Sequence, residues 1–574
     1  MRQGELTVDE LSEAGRTRLL AFLDAAVPKM EHALTENEQS VTFDDDEQSA
    51  AAARCEDDTG GPEPECAHVL DPRPTASAPD ASASNGSSRD ERFWRDLVPT
   101  GLSWNRTGFS LAVSYGRFDV TGWCDSPGAL CVWNLRREDV DPRKPDQTFE
   151  TDSCLQCVAW HPADPAVVAA GSFDGEVHVW DVRGDGDGDG DGDGKENRRE
   201  TRAETGEGFV ARSAVSDASH REPVTAVAWL RSARAVGTRA GRGAVWTHDV
   251  CSFGSDGRVL VWDFSKAETQ IERPESDVDV ERDVGRTKIR RVPFPSFGFE
   301  TRAPPGADAT RNGSVRGVSA ASRVPFGPGS GSEEADSNLT SSAFILGCDS
   351  GAVLECLVRR GEAEREAFAR AMRETSKPAA GGFSGSLPSP MRSPHVTAEY
   401  EPHRGAAHGV CAHPSEPGVF LSCGADGALK IYARRERRRA ARLEPRAGAL
   451  FCAAWSPARP ALVACGTSGG TVVLYDLLEG LLGSDGSERA NGDVAEGAFG
   501  GGLASLAPTR ELRGCRRGTP TQALAFNPAL PGYLAAADGS AVRVWDLGAR
   551  FAVPAKNEGA AIRRLAAGEE ARGY

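Results

Sequence analysis

Gly171-Ser-Phe-Asp-Gly-Glu-Val-His-Val-Trp180-Asp181 reads as a strand, a tight Asp-Gly turn and a second β-branched strand ending in Trp-Asp. The unit returns as Gly254-Ser-Asp-Gly-Arg-Val-Leu-Val-Trp262-Asp263 and as Asp538-Gly-Ser-Ala-Val-Arg-Val-Trp545-Asp546. One hairpin cannot bury its own apolar face, so its recurrence implies a stack of like units. A first strand and its exit turn recur ahead of it. They read Cys157-Val-Ala-Trp160-His161-Pro162, Leu102-Ser-Trp104-Asn105, Ala226-Val-Ala-Trp229, Val410-Cys-Ala-His413-Pro414, Cys452-Ala-Ala-Trp455-Ser456-Pro457 and Ala523-Leu-Ala-Phe526-Asn527-Pro528. Proline falls where pairing stops, since it cannot donate to a ladder.

These units predict an all-β chain, a seven-bladed WD-repeat β-propeller whose closed ring leaves no open sheet edge. The closing aromatics are Trp133, Trp180, Trp262, Tyr432, Tyr475 and Trp545. The remaining hairpin, Phe344 to Cys356, carries Cys356 where the aromatic belongs, and its first strand is lost somewhere in 286–340. It counts as a degenerate fourth blade. The turn aspartates Asp174, Asp256, Asp426 and Asp538 hold their blades, with Asp174, Ser172 and Trp180 as the best buried hydrogen-bonded set and His161 as a further member. His161 and His413 admit a metal-ligand or base reading, but a turn histidine beside proline has a sufficient structural explanation.

The formal net charge of −18 disfavours a phosphate-backbone binder, so no nucleic-acid partner is expected. Fourteen scattered cysteines, several within predicted strands, read as small buried thiols in a reducing compartment. The first ten residues lack a signal-peptide apolar run, and no stretch is long enough to span a bilayer. A soluble intracellular protein without membrane insertion is the expectation.

Four divisions follow: an amphipathic helical segment over 1–36, a disordered acidic and Ala-Pro-Ser linker over 37–90, the propeller over 91–550, and a tail over 551–574. Thr7 to Glu10 forms a capping box, and Leu11, Leu19, Leu20, Leu23, Val27, Met30 and Leu34 recur at helical spacing, with Pro28 as a kink. Such a stripe must dock, on another protein or on the propeller itself. Inserts at about 184–220, 265–340, 359–400 and 478–515 read as mostly mobile surface loops.

Several motifs invite a chemical reading. Asp185-Gly-Asp187-Gly-Asp189-Gly190 with Glu196 satisfies the EF-hand calcium pattern, but inside a simple Gly-Asp repeat without an entering helix. Cys154-Leu-Gln-Cys157 has zinc spacing and no second pair. Arg434-Arg-Glu-Arg-Arg-Arg439 with Arg442 is the strong basic run, by default a solvated loop and alternatively a contact for an acidic partner. Lys266-Ala-Glu-Thr-Gln-Ile271 is similar to the strands that dynein light chains add to a sheet edge, without the usual final Thr. No nucleophile–base–orienter set emerges, so neither an enzyme nor a cofactor is predicted.

Gly101-Leu-Ser-Trp-Asn-Arg-Thr-Gly, Ser114-Tyr-Gly-Arg-Phe-Asp119, Trp123-Cys and Ala129-Leu-Cys-Val-Trp-Asn-Leu135 together resemble the dynein intermediate chains, as does the continuation from Cys157 to Asp181. The Tyr-Gly-Arg-x-Asp and Trp-Cys pair is most like the smaller intermediate chains of the cytoplasmic dynein-2 (intraflagellar transport) branch. The resemblance covers about 95–550 and is loosest in blades four and five. It implies a non-catalytic subunit whose propeller grips the dynein heavy-chain tail. Its N-terminal region would carry dynein light chains and work with a second intermediate chain in retrograde intraflagellar transport and cilium assembly. Leu19, Leu20, Leu23, Val27 and Met30 are then the light-chain surface, and the 115–125 excursion, with Tyr115, Arg117, Asp119 and Trp123, the heavy-chain surface. The implied location is cytoplasm and cytoskeleton, in the cilium or flagellum and at the ciliary base. Alternatives are an intermediate chain of an axonemal or general cytoplasmic dynein, and a WD-repeat scaffold of another complex.

Overall fold

Seven antiparallel four-stranded sheets follow one another around a ring in the computed structural model. It describes residues 63–73, 93–119, 126–183 (138 excepted), 209–213, 219–231, 248–263, 268–272, 288–292, 295–301, 316–325, 341–359, 366, 368, 396–482, 503, 506–513 and 518–568. The chain enters through strand β1 (Glu65–Leu70) and then builds blade one from β2 (Val98–Trp104), β3 (Ser110–Gly116), β4 (Gly128–Asn134) and β5 (Gln147–Thr151). Blade two is β6 (Leu155–Trp160), β7 (Val167–Ser172), β8 (Val177–Asp181) and β9 (Phe209–Arg212). Blade three is β10 (Val224–Arg231), β11 (His248–Gly254) and β12 (Arg258–Trp262), completed after a two-stranded ribbon, β13 (Glu268–Glu272) and β14 (Lys288–Val292), by β15 (Pro295–Glu300). Blade four is β16 (Val318–Arg323), β17 (Ser341–Cys348), β18 (Val353–Arg359) and β19 (Val396–Tyr400).

Blade five is β20 (Ala407–Ala412), β21 (Val419–Gly424), β22 (Leu429–Ala433) and β23 (Arg439–Leu443). Blade six is β24 (Leu450–Trp455), β25 (Leu462–Thr467), β26 (Val472–Asp476), a short helix α1 (Leu477–Leu482) and β27 (Arg510–Leu512). Blade seven has β28 (Thr521–Phe526), β29 (Tyr533–Asp538) and β30 (Val542–Asp546), followed by α2 (Ala549–Ala552) and α3 (Glu558–Ala567).

The fourth strand of blade seven is β1, with Leu70 opposite Val542 and Glu65 opposite Asp546. The ring is thus closed by a strand from the stretch 37–90 that composition reads as linker. Alternation of half-exposed and exposed residues through Glu65–Leu70 suits an outer strand, and Leu70 is fully buried at its end. The stretch 551–574, read as a tail, contains α3.

Blade four is complete. Its first strand is Val318–Arg323, and the long inserts read as loops supply β15, β16 and β19. In most blades an aliphatic residue faces the closing aromatic, as Leu111 faces Trp133, Val168 faces Trp180 and Val463 faces Tyr475. In blade four Phe344 faces Cys356, so the bulk has moved across the strand pair. Exchange of large and small across one layer conserves volume, and Phe344 packs 5.0 Å from Phe253 of blade three.

Every innermost strand carries a register shift near its start, as between Pro99 and Gly101 or Leu155 and Cys157. In three blades the bulged residue turns a hydroxyl toward the next blade. Thr100 Oγ1 donates to Leu155 O at 2.8 Å, Thr225 Oγ1 to Val318 O at 2.7 Å and Ser319 Oγ to Ala407 O at 2.5 Å. The Cys157 and Cys452 thiols donate to Val224 O and Thr521 O, each at 3.3 Å. Between blades five and six, His408 stacks on Phe451 instead, with 4.9 Å between centroids. Among the described residues no helix is long and apolar enough to cross a membrane.

Candidate partner-binding surface on blade one

In a four-stranded meander the second turn lies at one end and the first and third turns at the other. The second turn of blade one is the long excursion 117–127, and glycines bracket it. A Cβ on Gly116 would stand 2.4 Å from Leu155 O, and one on Gly128 2.7 Å from Leu155 N, so both stems lie against the backbone of blade two. Gln156 Nε2 donates to Arg117 O at 3.3 Å and Cys154 Sγ to Ser126 O at 3.5 Å, fixing the two ends.

On that base Arg117 grips Asp119 in a fork, Nε to Oδ1 at 2.9 Å and Nη2 to Oδ2 at 2.8 Å, with Asp96 Oδ2 3.5 Å from Nη1. The hydrogen bonds from Arg117 hold the Asp119 carboxyl below its usual range. Phe118 lies between the paired residues and is 50% exposed. Tyr115, at the end of β3, is buried in the core shared with blade seven, with Trp94 edge-on at 5.4 Å and Phe93 edge-on to Trp94 at 5.0 Å. Burial pushes the Tyr115 phenol well up, and its hydroxyl has no hydrogen-bond partner among the described residues. An exposed phenylalanine flanked by an arginine–carboxylate pair has residue types enriched in protein-binding surfaces.

Among the described residues no group of three or more His, Cys, Asp and Glu side chains is arranged to hold a metal ion. Two buried sets tie turns to closing aromatics. In blade three His220 Nδ1 lies 3.1 Å from Asp256 and Nε2 2.7 Å from Ser252 Oγ, which accepts from Trp262 Nε1 at 2.8 Å. In blade five His403 joins Asp426 and Ser422 at 2.7 Å each, and Ser422 Oγ reaches Tyr432 Oη at 3.4 Å. These sets brace the turns against the closing strands.

Residues 143–181 match the family described as WD domain, G-beta repeat. The chain is 28% identical over 460 residues to the mouse protein Cytoplasmic dynein 2 intermediate chain 2, across 79% of this chain and 66% of that protein. The human protein of that name is 27% identical over 475 residues, 82% of this chain and 69% of its own. Rat Dynein axonemal intermediate chain 2 is 22% identical over 411 residues, 70% of this chain and 48% of its own. The chain is a WD-repeat propeller similar to dynein intermediate chains. It spans about two thirds of the length of its dynein 2 relatives.

Of the residues singled out from the sequence, Arg117 and Asp119 are paired, Tyr115 is buried in the core beside Trp94, and Trp123 lies outside the described residues. So do Leu19, Leu20, Leu23, Val27 and Met30, and the Gly-Asp repeat from Asp185 to Glu196. Thr269 and Gln270 lie in β13, paired with β14. Trp133, Trp180, Trp262, Tyr432 and Tyr475 are almost wholly buried and Trp545 is 5% exposed. Ser172 Oγ donates to Asp174, while Asp538 accepts from Ala541 N at 2.9 Å and Arg543 Nη1 at 2.6 Å.

His161 does not join the Ser172 set. Its Nδ1 accepts from Ala163 N at 3.2 Å and Asp164 N at 2.7 Å, closing the turn after β6. Asn527 does the same for Ala529 and Leu530, and His413 for Ser415 and Glu416. The histidines that do reach a serine, His220 and His403, were missed. Their signal was legible, since each precedes its inner strand by four residues, Val224 and Ala407. Cys154 and Cys157 turn to separate carbonyls, and burial pushes the Cys157 thiol up to about 12.

Proposed function

We propose that this chain is a non-catalytic intermediate chain of the dynein-2 motor. Its propeller holds the heavy-chain tail through the aromatic surface on blade one. The N-terminal region, with Leu19, Leu20, Leu23, Val27 and Met30, carries light chains and works beside a second intermediate chain. The complex then serves retrograde intraflagellar transport and cilium assembly, in cytoplasm and cilium or flagellum, at the ciliary base and on the cytoskeleton. The observation that carries this reading is the similarity to two dynein 2 intermediate chains across 79% and 82% of the chain. Support from the surface itself is chemical: an arginine fork and exposed phenylalanine suit a protein partner.

The test is to tag the chain in a flagellated cell and identify co-purifying proteins by mass spectrometry. Recovery of a dynein-2 heavy chain with light chains is the expected result, and a preparation devoid of dynein subunits would sink the reading. The weaker axonemal similarity, 22% over 411 residues, motivates a second reading. Depletion distinguishes them: failure of flagellar return traffic belongs to dynein-2, whereas loss of beating with normal traffic belongs to an axonemal motor.

A further inference from the structure

The face opposite the Asp-Gly turns carries a concentration of arginine that the blade-one surface does not use. Between β22 and β23 the chain reads Arg434-Arg-Glu-Arg-Arg-Arg439. Arg434 is taken up by Glu355 at 2.6 Å, Arg439 by Glu401, and Arg442 by Glu444 at 2.6 Å. Arg435, Arg437 and Arg438 are exposed and have no carboxylate partner among the described residues. The C-terminal helix adds to them. A Cβ on Gly568, just past α3, would stand 2.8 Å from Glu436 Oε1, and one on Gly418, in the β20–β21 turn, 2.8 Å from Ala566 Cβ. Helix α3 therefore ends against the turns of blade five, and Arg563 and Arg564 on it are exposed.

We propose that this face of blade five binds an acidic peptide segment of a partner protein. A structural use accounts for part of the pattern, since Arg564 in the last turn of α3 complements the helix dipole. It does not reach Arg435, Arg437 and Arg438, which sit in a hairpin turn. Five exposed arginines on a chain of net charge −18 oppose the overall field. That combination favours a short acidic segment, which feels the local patch. It disfavours nucleic acid, an extended polyanion that the rest of the surface repels. The all-arginine composition points the same way, because planar guanidinium forks pair with carboxylates. Arg434 and Glu355 already show that pairing, with Nε and Nη2 at 3.1 and 2.6 Å from the two carboxylate oxygens.

Fluorescence anisotropy of a labelled deca-glutamate peptide with the full chain tests this. Binding that weakens as salt rises is expected. The triple variant Arg435→Glu, Arg438→Glu, Arg563→Glu should lose affinity by roughly tenfold or more, while its melting temperature stays unchanged because all three sites are exposed. Arg513→Glu, on blade six, should bind as the natural chain does. Absence of peptide binding, or an unaltered affinity in the folded triple variant, would overturn the proposal. Tighter capture of decauridylate or of phosphatidylserine vesicles would overturn it too, assigning the face to nucleic acid or membrane.

Discussion

Arg459 Nε donates to Glu558 Oε1 at 2.7 Å, across 99 residues of sequence. Arg459 also reaches Asp476 Oδ2 at 2.8 Å and the Arg550 carbonyl at 3.0 Å, and its side chain is only 4% exposed. One guanidinium thus joins blade six, α2 and the first turn of α3. Ile562, Leu565 and Ala566 of α3 then pack into the core between blades five and six.

Removing one member of that set leaves buried charge behind. Glu558→Ala should destabilise by about 3–5 kcal/mol in urea unfolding, whereas Arg459→Met combined with Glu558→Leu should cost clearly less than the sum of the single changes. Additive losses would mean that the two side chains do not act as a pair.

Acid should weaken the turns after β6 and β20. His413 Nε2 donates to Pro460 O at 2.9 Å while Nδ1 accepts from Ser415 and Glu416, so the folded ring has no room for a second proton. Burial drives the His161 and His413 pKa values below the ordinary imidazole value of 6.5. A lowered folded pKa means that the unfolded chain binds the proton first. The stability is therefore whole above about pH 6.5 and is lost as pH falls through the folded values. Thermal melts from pH 8 to 5 should show that decline. The double variant His161→Asn, His413→Asn should flatten it, because Asn527 already fills this position in blade seven. An unchanged pH profile in the variant would refute the assignment.

Closure through β1 should be costly to weaken. Leu70 is fully buried among Leu97, Val542 and Val544, so Leu70→Ala should destabilise by about 2–5 kcal/mol. Substituting the exposed neighbour Val69 by Thr should change stability by less than about 0.5 kcal/mol. Equal effects at both sites, read in urea, would argue against the pairing register.

Phe118→Ser should separate binding from folding. The side chain is half exposed, so the melting temperature should hold, while heavy-chain recovery in a pull-down should drop severalfold if the ring is an anchor. Undiminished recovery would remove it from the surface.

Much of this architecture could be read from the chain because its signals are local. An Asp-Gly pair such as Asp256-Gly257 fixes a turn within four residues, and Gly257 has φ 71° there. Strand β1 was illegible for the opposite reason. Glu-Cys-Ala-His-Val-Leu is a weak strand in an acidic, proline-bearing context, and only its remote partner β30 makes it one. Blade four was obscured by a swap that leaves packing intact and pattern broken, Phe344 against Cys356. On the candidate surface, Tyr115, Arg117 and Asp119 stood out through the resemblance to dynein intermediate chains, but Phe118 gained importance only once Arg117 and Asp119 were seen paired on either side of it. Trp94, far back in sequence, entered through packing alone.

Leu70 and Val542 face each other in one ladder although they stand at opposite ends of the propeller sequence. On a ribosome moving at about 5–20 residues per second, Leu70 waits on the order of half a minute or longer for that neighbour to be made. No nascent chain can therefore finish the ring. The first strand to be synthesised is the last to be seated, and until then both it and the free edge of β30 stand open to whatever else can pair with them.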